Sequence, residues 1–135
     1  MYTPLRAKYA KELEDMSVDF DCKVPSWSEG HMYRAAFANG YGISIVKHDG
    51  SYGREQNKWE IAVLKRGKEN DVKKYDLCCD TPITDDVIGW LTGPEVMEYA
   101  RKIHDLPCVD DEYMRPLENG LYECEGYIVS EPWDV

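Results

Sequence analysis

The sequence contains no hydrophobic stretch long enough to cross a membrane. A membrane-spanning helix needs about 20 consecutive apolar residues, and the apolar runs of this chain end after a few residues because 31% of it is charged. Residues 1–6 also lack the apolar segment of a secretion signal. The sequence therefore predicts a cytoplasmic protein without membrane contact.

The cysteines do not follow the pattern of a disulfide-bonded protein. There are five, an odd number, at Cys22, Cys78, Cys79, Cys108 and Cys124. Adjacent Cys78 and Cys79 also lack the two-residue gap of a zinc site. We expect all five to be thiols in a reducing compartment.

Motifs for catalysis, metal binding and phosphate binding are missing as well. No Gly-x-Ser-x-Gly turn is present to hold a serine nucleophile, and the acidic stretch of Asp80, Asp85 and Asp86 lacks the central glycine of a calcium loop. Gly40 and Gly42 lie inside a predicted hairpin, whereas a phosphate-binding loop precedes a helix. The sequence therefore predicts no catalytic residue, no metal site and no cofactor.

Negative charge is concentrated in the last part of the chain. The net charge is −10, and residues 80–135 contain 14 Asp and Glu against 3 Lys and Arg. Such a field repels nucleic acid and attracts basic protein surfaces, so we expect no direct nucleic-acid binding. Asp110, Asp111 and Glu112 are candidate contacts for a basic partner, and the alternative is an acidic surface that only aids solubility.

Two turn-separated runs in the middle of the chain predict a β meander. Asn39-Gly40 between β-prone runs is a strong signal for a two-residue type I′ hairpin, and a third strand follows at residues 58–64. That turn would place Phe37 opposite Gly42. Trp59, Ile61 and Val63 fall on one face of the third strand, and the apolar residues on its other face predict a second covering element.

One helix is predicted before the meander in the chain and one after it. Residues 3–16 have an apolar helical stripe, with Thr3 as the expected N-cap and Pro4 at the first helical position. Thr92 and Glu95 form a capping box before a second helix that Pro107 ends. A fourth strand at 72–78, a short helical turn after Thr84 and a strand at 121–130 complete the prediction.

These elements predict one α+β domain over residues 1–135. We expect an antiparallel sheet of about four to five strands with two main α-helices packed on it. The core spans residues 33–107, the N-terminal helix residues 3–16, and an acidic C-terminal extension residues 108–135. Trp27, in the predicted loop 17–31, is expected to anchor that loop to the core.

The loop between the second and third meander strands is the main candidate binding site. It covers residues 48–57, is too long for a tight turn, and is rich in polar groups. Loops on rigid sheets often carry binding function. The candidate contacts are His48, Asp49, Ser51, Tyr52 and Arg54, and the alternative is a mobile connection without a role.

Four segments together resemble a family of small uncharacterised proteins of tailed bacteriophages. They are NGYGISIV at 39–46, SYG at 51–53, WEIAVL at 59–64 and TPITDDVIGWLT at 81–92. The resemblance covers roughly residues 33–107 and leaves out the N-terminal helix, the lysine-rich segment 65–74 and the acidic tail. It implies a phage origin and the cytoplasm of a bacterial host, and it assigns no catalytic residue.

Three functional hypotheses follow. The first is a non-enzymatic phage accessory protein that binds a host or defence protein through the 48–57 loop and its acidic side, for host takeover or anti-defence. The second is a structural, self-associating phage protein. The third is a small metal-dependent or histidine-based enzyme that uses His48 and Asp49, or the acidic residues of 80–86.

Overall fold

The computed structural model describes residues 2–66, 71–78, 81–84 and 86–107 with their side chains. Beyond them it describes the backbone of three short strands, β7 (Met114–Pro116), β8 (Tyr122–Cys124) and β9 (Tyr127–Val129). An antiparallel sheet with two α-helices forms the main part, which confirms the predicted α+β fold. Within the described residues, no helix is long and apolar enough to cross a membrane.

The main sheet has six strands, all antiparallel. Five of them follow one another in space in chain order, and β6 pairs with β4 on the same side as β5. The two short strands share this edge because β5 pairs with the end of β4 and β6 with its beginning. The strands are β1 (Asp19–Lys23), β2 (Gly30–Ala36), β3 (Tyr41–His48), β4 (Trp59–Lys65), β5 (Asp76–Leu77) and β6 (Ile88–Leu91).

The predicted meander is confirmed, but its first register was wrong by one residue. Ala36 lies opposite Gly42, where Phe37 was expected. The turn is wider than type I′: the Phe37 N–H donates to the Tyr41 carbonyl at 2.8 Å, and Asn39 is not among the residues with positive φ. Gly42 is required here because a Cβ would lie 2.5 Å from the Ala35 carbonyl oxygen.

The side chain of Asn39 explains this wider turn. Asn39 is 4% exposed, and its Nδ2 donates to the carbonyl oxygens of Ile103 at 2.9 Å, His104 at 3.2 Å and Leu106 at 2.8 Å. Its Oδ1 accepts from the Tyr41 N–H at 3.0 Å. Asn39 therefore closes the hairpin and caps the C-terminal end of a helix more than 60 residues later in the chain.

The two helices are α1 (Ala7–Met16) and α2 (Gly93–His104). The capping box of Thr92 and Glu95 is confirmed. The predicted cap of α1 was wrong: the Thr3 N–H and hydroxyl bond to Asn57 Oδ1, and α1 begins after Arg6 without a side-chain cap. The helices are joined by a two-bond ion pair between Arg101 and Glu12.

Both faces of the sheet are covered, as the apolar pattern of β4 predicted. Trp59, Ile61 and Val63 belong to the large core beneath the helices. Leu64 lies on the opposite face, in a smaller cluster with Ala36, Val72 and Tyr75. The apolar residues of the helices in the large core are Leu13, Val96, Met97, Ala100 and Ile103.

Several short elements differ from the sequence predictions. The predicted loop 17–31 contains β1, and residues 72–78 form a 3-10 turn (Val72–Lys74) followed by the two-residue β5. The helical turn expected after Thr84 is instead the approach to β6, and the strand expected at 121–130 is the β8–β9 pair. In each case pairing with a neighbouring strand decides the structure, and a local pattern does not record it. Asn119-Gly120 lies outside the described residues.

One lysine is buried on the helix face of the sheet. Lys47 continues the inward side of β3 after Ile43 and Ile45, and it is 2% exposed. Its Nζ donates to the carbonyl oxygen and hydroxyl of Thr3 at 3.1 and 3.2 Å and lies 4.1 Å from the ring centre of Trp59. Burial lowers the pKa of Lys47 from 10.5 to about 8.

Replacing Asn39 tests its double role. Asn39→Ala is expected to lower the free energy of unfolding by about 2–4 kcal/mol, because buried carbonyl groups lose their donor. Asn39→Asp keeps the acceptor for Tyr41 but places negative charge at the negative end of α2. The stability that Asn39→Asp loses relative to the wild type at about pH 7 should therefore become smaller toward about pH 4. Urea unfolding at both pH values measures this, and an alanine variant as stable as the wild type would contradict it.

Replacing Lys47 tests the cost of its buried charge. Between about pH 8 and 10.5 the unfolded chain binds more protons at this lysine than the folded chain does. The wild type should therefore gain up to about 3 kcal/mol relative to Lys47→Met across that window. Below about pH 8 the difference between the two proteins should be constant. Urea unfolding at about pH 7 and about pH 9.5 measures the difference in unfolding free energy between the two proteins. The same difference at both pH values would contradict the expectation.

Candidate functional site

The loop between β3 and β4 has an ordered internal structure. The Ser51 hydroxyl donates to the His48 carbonyl at 2.9 Å and accepts from the His48 N–H at 3.1 Å. Arg54 Nη1 donates to the Ser51 carbonyl at 3.0 Å. A 3-10 turn at Arg54–Gln56 follows, flanked by Gly53 and Asn57 in left-handed conformations. These bonds connect the side chains of Ser51 and Arg54 to the backbone of the loop itself.

The loop places a tyrosine against a tryptophan of β6. The rings of Tyr52 and Trp90 stack with their centres 5.4 Å apart and an interplanar angle of 29°. The Trp90 N–H points at the Tyr52 carbonyl at 3.4 Å, and the Tyr52 N–H donates to Glu60 Oε1 at 3.0 Å. Both side chains are about half exposed, Tyr52 at 53% and Trp90 at 52%.

Two glycines allow this close approach. A Cβ on Gly53 would lie 2.9 Å from both the Cα and the N of Trp90, and one on Gly89 would lie 2.5 Å from the Cβ of Tyr52. Any larger residue at either position would separate the loop from β6. We call Tyr52 and Trp90, with Gly53 and Gly89 beneath them, the aromatic platform.

An irregularity in the sheet aims Trp90 outward. Trp59 pairs with Leu91 and Ile61 with Ile88, so two residues of β6 lie opposite one residue of β4. This is the count of a β-bulge, a feature that redirects side chains and is frequent beside functional sites. Trp90 accordingly has φ of 57°, a conformation that costs a bulky residue about 1–2 kcal/mol.

A second aromatic contact lies at the start of the loop. The ring of Trp27 meets the His48 ring edge-on with their centres 4.7 Å apart, and Trp27 is 64% exposed. The expectation that Trp27 anchors its loop in the core was therefore wrong. Pro25 is the buried residue between β1 and β2. The residues described thus include three large, exposed aromatic side chains, and all three belong to or contact the 48–57 loop.

The loop residues singled out from the sequence differ in accessibility. Tyr52 and Asp49 are exposed, and His48 and Arg54 are partly exposed. Ser51 is 1% exposed, so its contribution is to the shape of the loop. Asp110, Asp111 and Glu112 lie outside the described residues.

Asp49 is held by two side chains from elsewhere in the chain. The Tyr2 hydroxyl donates to its Oδ1, and the Asp49 N–H donates to Ser28 Oγ at 2.9 Å. The hydrogen bond from Tyr2 to the carboxylate is the largest cause of the lowered pKa of Asp49, and the same bond raises the pKa of Tyr2. Asp49 therefore stays a carboxylate at neutral pH beside the exposed rings.

The described residues do not assemble a catalytic or metal constellation at the loop. His48 Nδ1 lies 2.9 Å from the Asp49 carbonyl oxygen, and Ser51 bonds to the backbone of His48 rather than to its ring. No group of three metal-ligating side chains occurs in the part of the chain that the structure describes. Asp80 and Asp85 lie outside that part, and Asp86 bonds to the Val87 N–H.

Sequence reasoning found Tyr52 but missed Trp90. Trp90 was placed in a helical turn because Thr84, Asp85 and Asp86 favour a helix start. The available signal was the pair Gly89-Trp90, since glycine beside an aromatic residue in a strand often marks a bulge. No family model, curated protein or solved structure matches the chain.

Two glycine substitutions of the same chemistry test the platform. Gly53 and Gly50 have similar φ values of 95° and 100°, but a Cβ at Gly50 meets nothing within 4 Å. Gly53→Ala should therefore cost about 1–3 kcal/mol more than Gly50→Ala and should change the near-UV circular dichroism from the stacked rings. Equal stability and equal spectra for the two variants would show that the loop does not depend on this contact.

Proposed function

We propose that this chain is a non-enzymatic binding protein that recognises another protein through the aromatic platform and the surrounding 48–57 loop. The observation that carries the proposal is the Tyr52–Trp90 stack, half exposed and fixed in place. Tyrosine and tryptophan dominate the energetic centres of protein interfaces because they bury large areas with few rotatable bonds.

The energetic cost of the platform supports a binding role. Trp90 has an unfavourable backbone conformation, and its ring leaves about half of its surface in water. Neither property stabilises the isolated fold, and strained residues of this kind cluster at functional sites. Burying both rings against a partner removes their apolar surface from water, which is favourable.

Polar groups around the rings suit a protein surface more than a small ligand. Asp49 and Arg54 lie on either side of Tyr52 in the loop sequence, and Trp27 contacts His48 at the start of the loop. An aromatic centre with a polar rim is the usual composition of a protein interface. The resemblance to bacteriophage proteins makes a host or defence protein the partner class, in the cytoplasm of the infected cell, and the acidic residues after position 80 favour a basic surface on it.

The experiment compares capture by the wild type and by two matched variants. Trp90→Gly removes the ring at a position where glycine relieves the backbone, so the fold should be retained. Leu77→Ala removes another exposed apolar side chain, 64% accessible, from β5. A protein captured from infected cells is purified and its affinity measured for each form. Trp90→Gly should weaken binding by at least about 2 kcal/mol, and Leu77→Ala should leave it unchanged.

Other outcomes decide against the proposal. A partner that binds Trp90→Gly as tightly as the wild type contradicts a role for the platform. Recovery of the chain alone, with light scattering that detects dimers or larger species, supports the self-associating alternative instead. Neutralising Asp110, Asp111 and Glu112 then tests the acidic side: unchanged affinity at low salt would remove these residues as contacts for a basic partner.

A further inference from the structure

A cleft beside the N-terminal segment has a charge composition unlike that of the whole chain. It measures about 370 Å³ and lies between residues 3–6, the end of the 48–57 loop, the start of β4 and the first turn of α2. Arg6, Lys47 and Lys58 line it, and no Asp or Glu does. The chain as a whole has 26 acidic and 16 basic residues, so this local excess of positive charge runs against the overall balance.

The buried lysine is the central feature of this cleft. Lys47 is 2% exposed, and its ammonium group has only neutral partners: two oxygen atoms of Thr3 and the face of Trp59. In the described part of the chain, no carboxylate lies within ion-pair distance of it. A buried charge without a counter-charge is costly, and an anion in the adjoining cleft removes that cost.

The two rim cations also lack ion pairs among the described residues. Other basic side chains have partners, such as Lys11 with Asp15 and Arg101 with Glu12. Arg6 lies 6.0 Å from the ring centre of Tyr9. Hydrogen bonds from Thr92 are the main cause of the lowered pKa of Glu95, and the charge of Lys58 contributes to a smaller extent. Lys58 is therefore partly engaged by Glu95.

The first turn of α2 contributes shape rather than charge. Thr92, Gly93 and Pro94 form one wall of the cleft. The Glu95 carboxylate bonds to the Thr92 N–H at 3.0 Å and to its hydroxyl at 2.9 Å, so the helix N-terminus already has an anion. Attraction of a ligand therefore rests on the three cationic side chains.

We propose that this cleft binds a small organic anion, a carboxylate or phosphate monoester attached to an apolar ring. The charged group is placed against Lys47, Arg6 and Lys58, and the apolar part against Tyr9, Trp59 and Pro94. The volume falls in the range of small-molecule sites, about 300–1,000 Å³. Gln56 and Asn57, at the end of the 48–57 loop, also line the cleft, but no residue of the aromatic platform does. Binding of a small anion is therefore tested without the protein partner.

The experiment uses four simple probes on the full chain. Phenyl phosphate and benzoate carry the proposed chemistry, benzamide is the neutral counterpart of benzoate, and inorganic phosphate lacks the ring. Binding is followed by the Trp59 indole and Gly93 amide signals in NMR titrations, with Gly50 as an internal reference. The two organic anions should produce saturable shifts at Trp59 and Gly93 only, and benzamide should produce none.

Two variants and one control connect binding to the cleft. Lys47→Met should weaken phenyl phosphate binding at least tenfold, which is the effect of losing one charge-assisted contact. Arg6→Gln changes only an exposed rim residue, and it should weaken binding as well if Lys47→Met fails to fold. Lys102→Met also removes one lysine charge, but about 13 Å along α2 from the turn that lines the cleft, so it should not affect binding.

Three results would overturn the assignment of the cleft as an anion site. They are the absence of saturable shifts with either organic anion, benzamide binding as strong as that of benzoate, and unchanged affinity in both cleft variants. Inorganic phosphate that binds as tightly as phenyl phosphate would show that the apolar wall contributes nothing, and the proposed ligand class would then be wrong.

Discussion

The hydrogen bonds of one buried asparagine connect the two halves of this fold. Asn39 satisfies the backbone of the β2–β3 turn and three carbonyl groups at the end of α2. The helix end and the turn therefore fix each other's position, and the core between them closes around Phe37 and Ile103. Since α2 begins with its own capping box, both of its ends are fixed by side chains. The first turn of α2, which forms one wall of the cleft, is held in position by the same contacts.

β4 is the strand on which both candidate sites depend. Its first residue, Trp59, is buried beneath Lys47 and lines the cleft. One residue later, Glu60 holds the Tyr52 N–H and lies opposite the bulge that turns Trp90 outward. Successive residues of a strand point to opposite faces, so one short segment supports a charged cleft on one side and an aromatic surface near the other. The two sites are thus structurally adjacent and chemically distinct.

Local patterns predicted the elements whose stabilising contacts are close in sequence. The meander, the capping box of Thr92 and Glu95 and the two-faced apolar pattern of β4 were all visible in the sequence. The register of the hairpin was not, because Asn39 bonds to residues 64 to 67 positions away. β1 and β6 were missed for the same reason, since short strands are defined by the neighbour they pair with.

The candidate sites divide in the same way. Tyr52 could be proposed from its polar loop, but Trp90 becomes visible only through a bulge between strands that are distant in the chain. Lys47 had a usable signal: it continues the alternation of Ile43 and Ile45, and that period places it on the covered face. The charged residue type masked this, because lysine is almost never fully buried.

The exposed edge of β1 has a consequence for assembly. Among the described strands, β1 pairs only with β2, and a strand at the edge of a sheet can recruit a further strand. A second copy pairing antiparallel about the strand's centre would set Asp21 against Asp21, and like charges directly opposite each other are unfavourable. Five residues also offer few hydrogen bonds to offset that repulsion. Asp21 therefore disfavours symmetric pairing of two copies through β1.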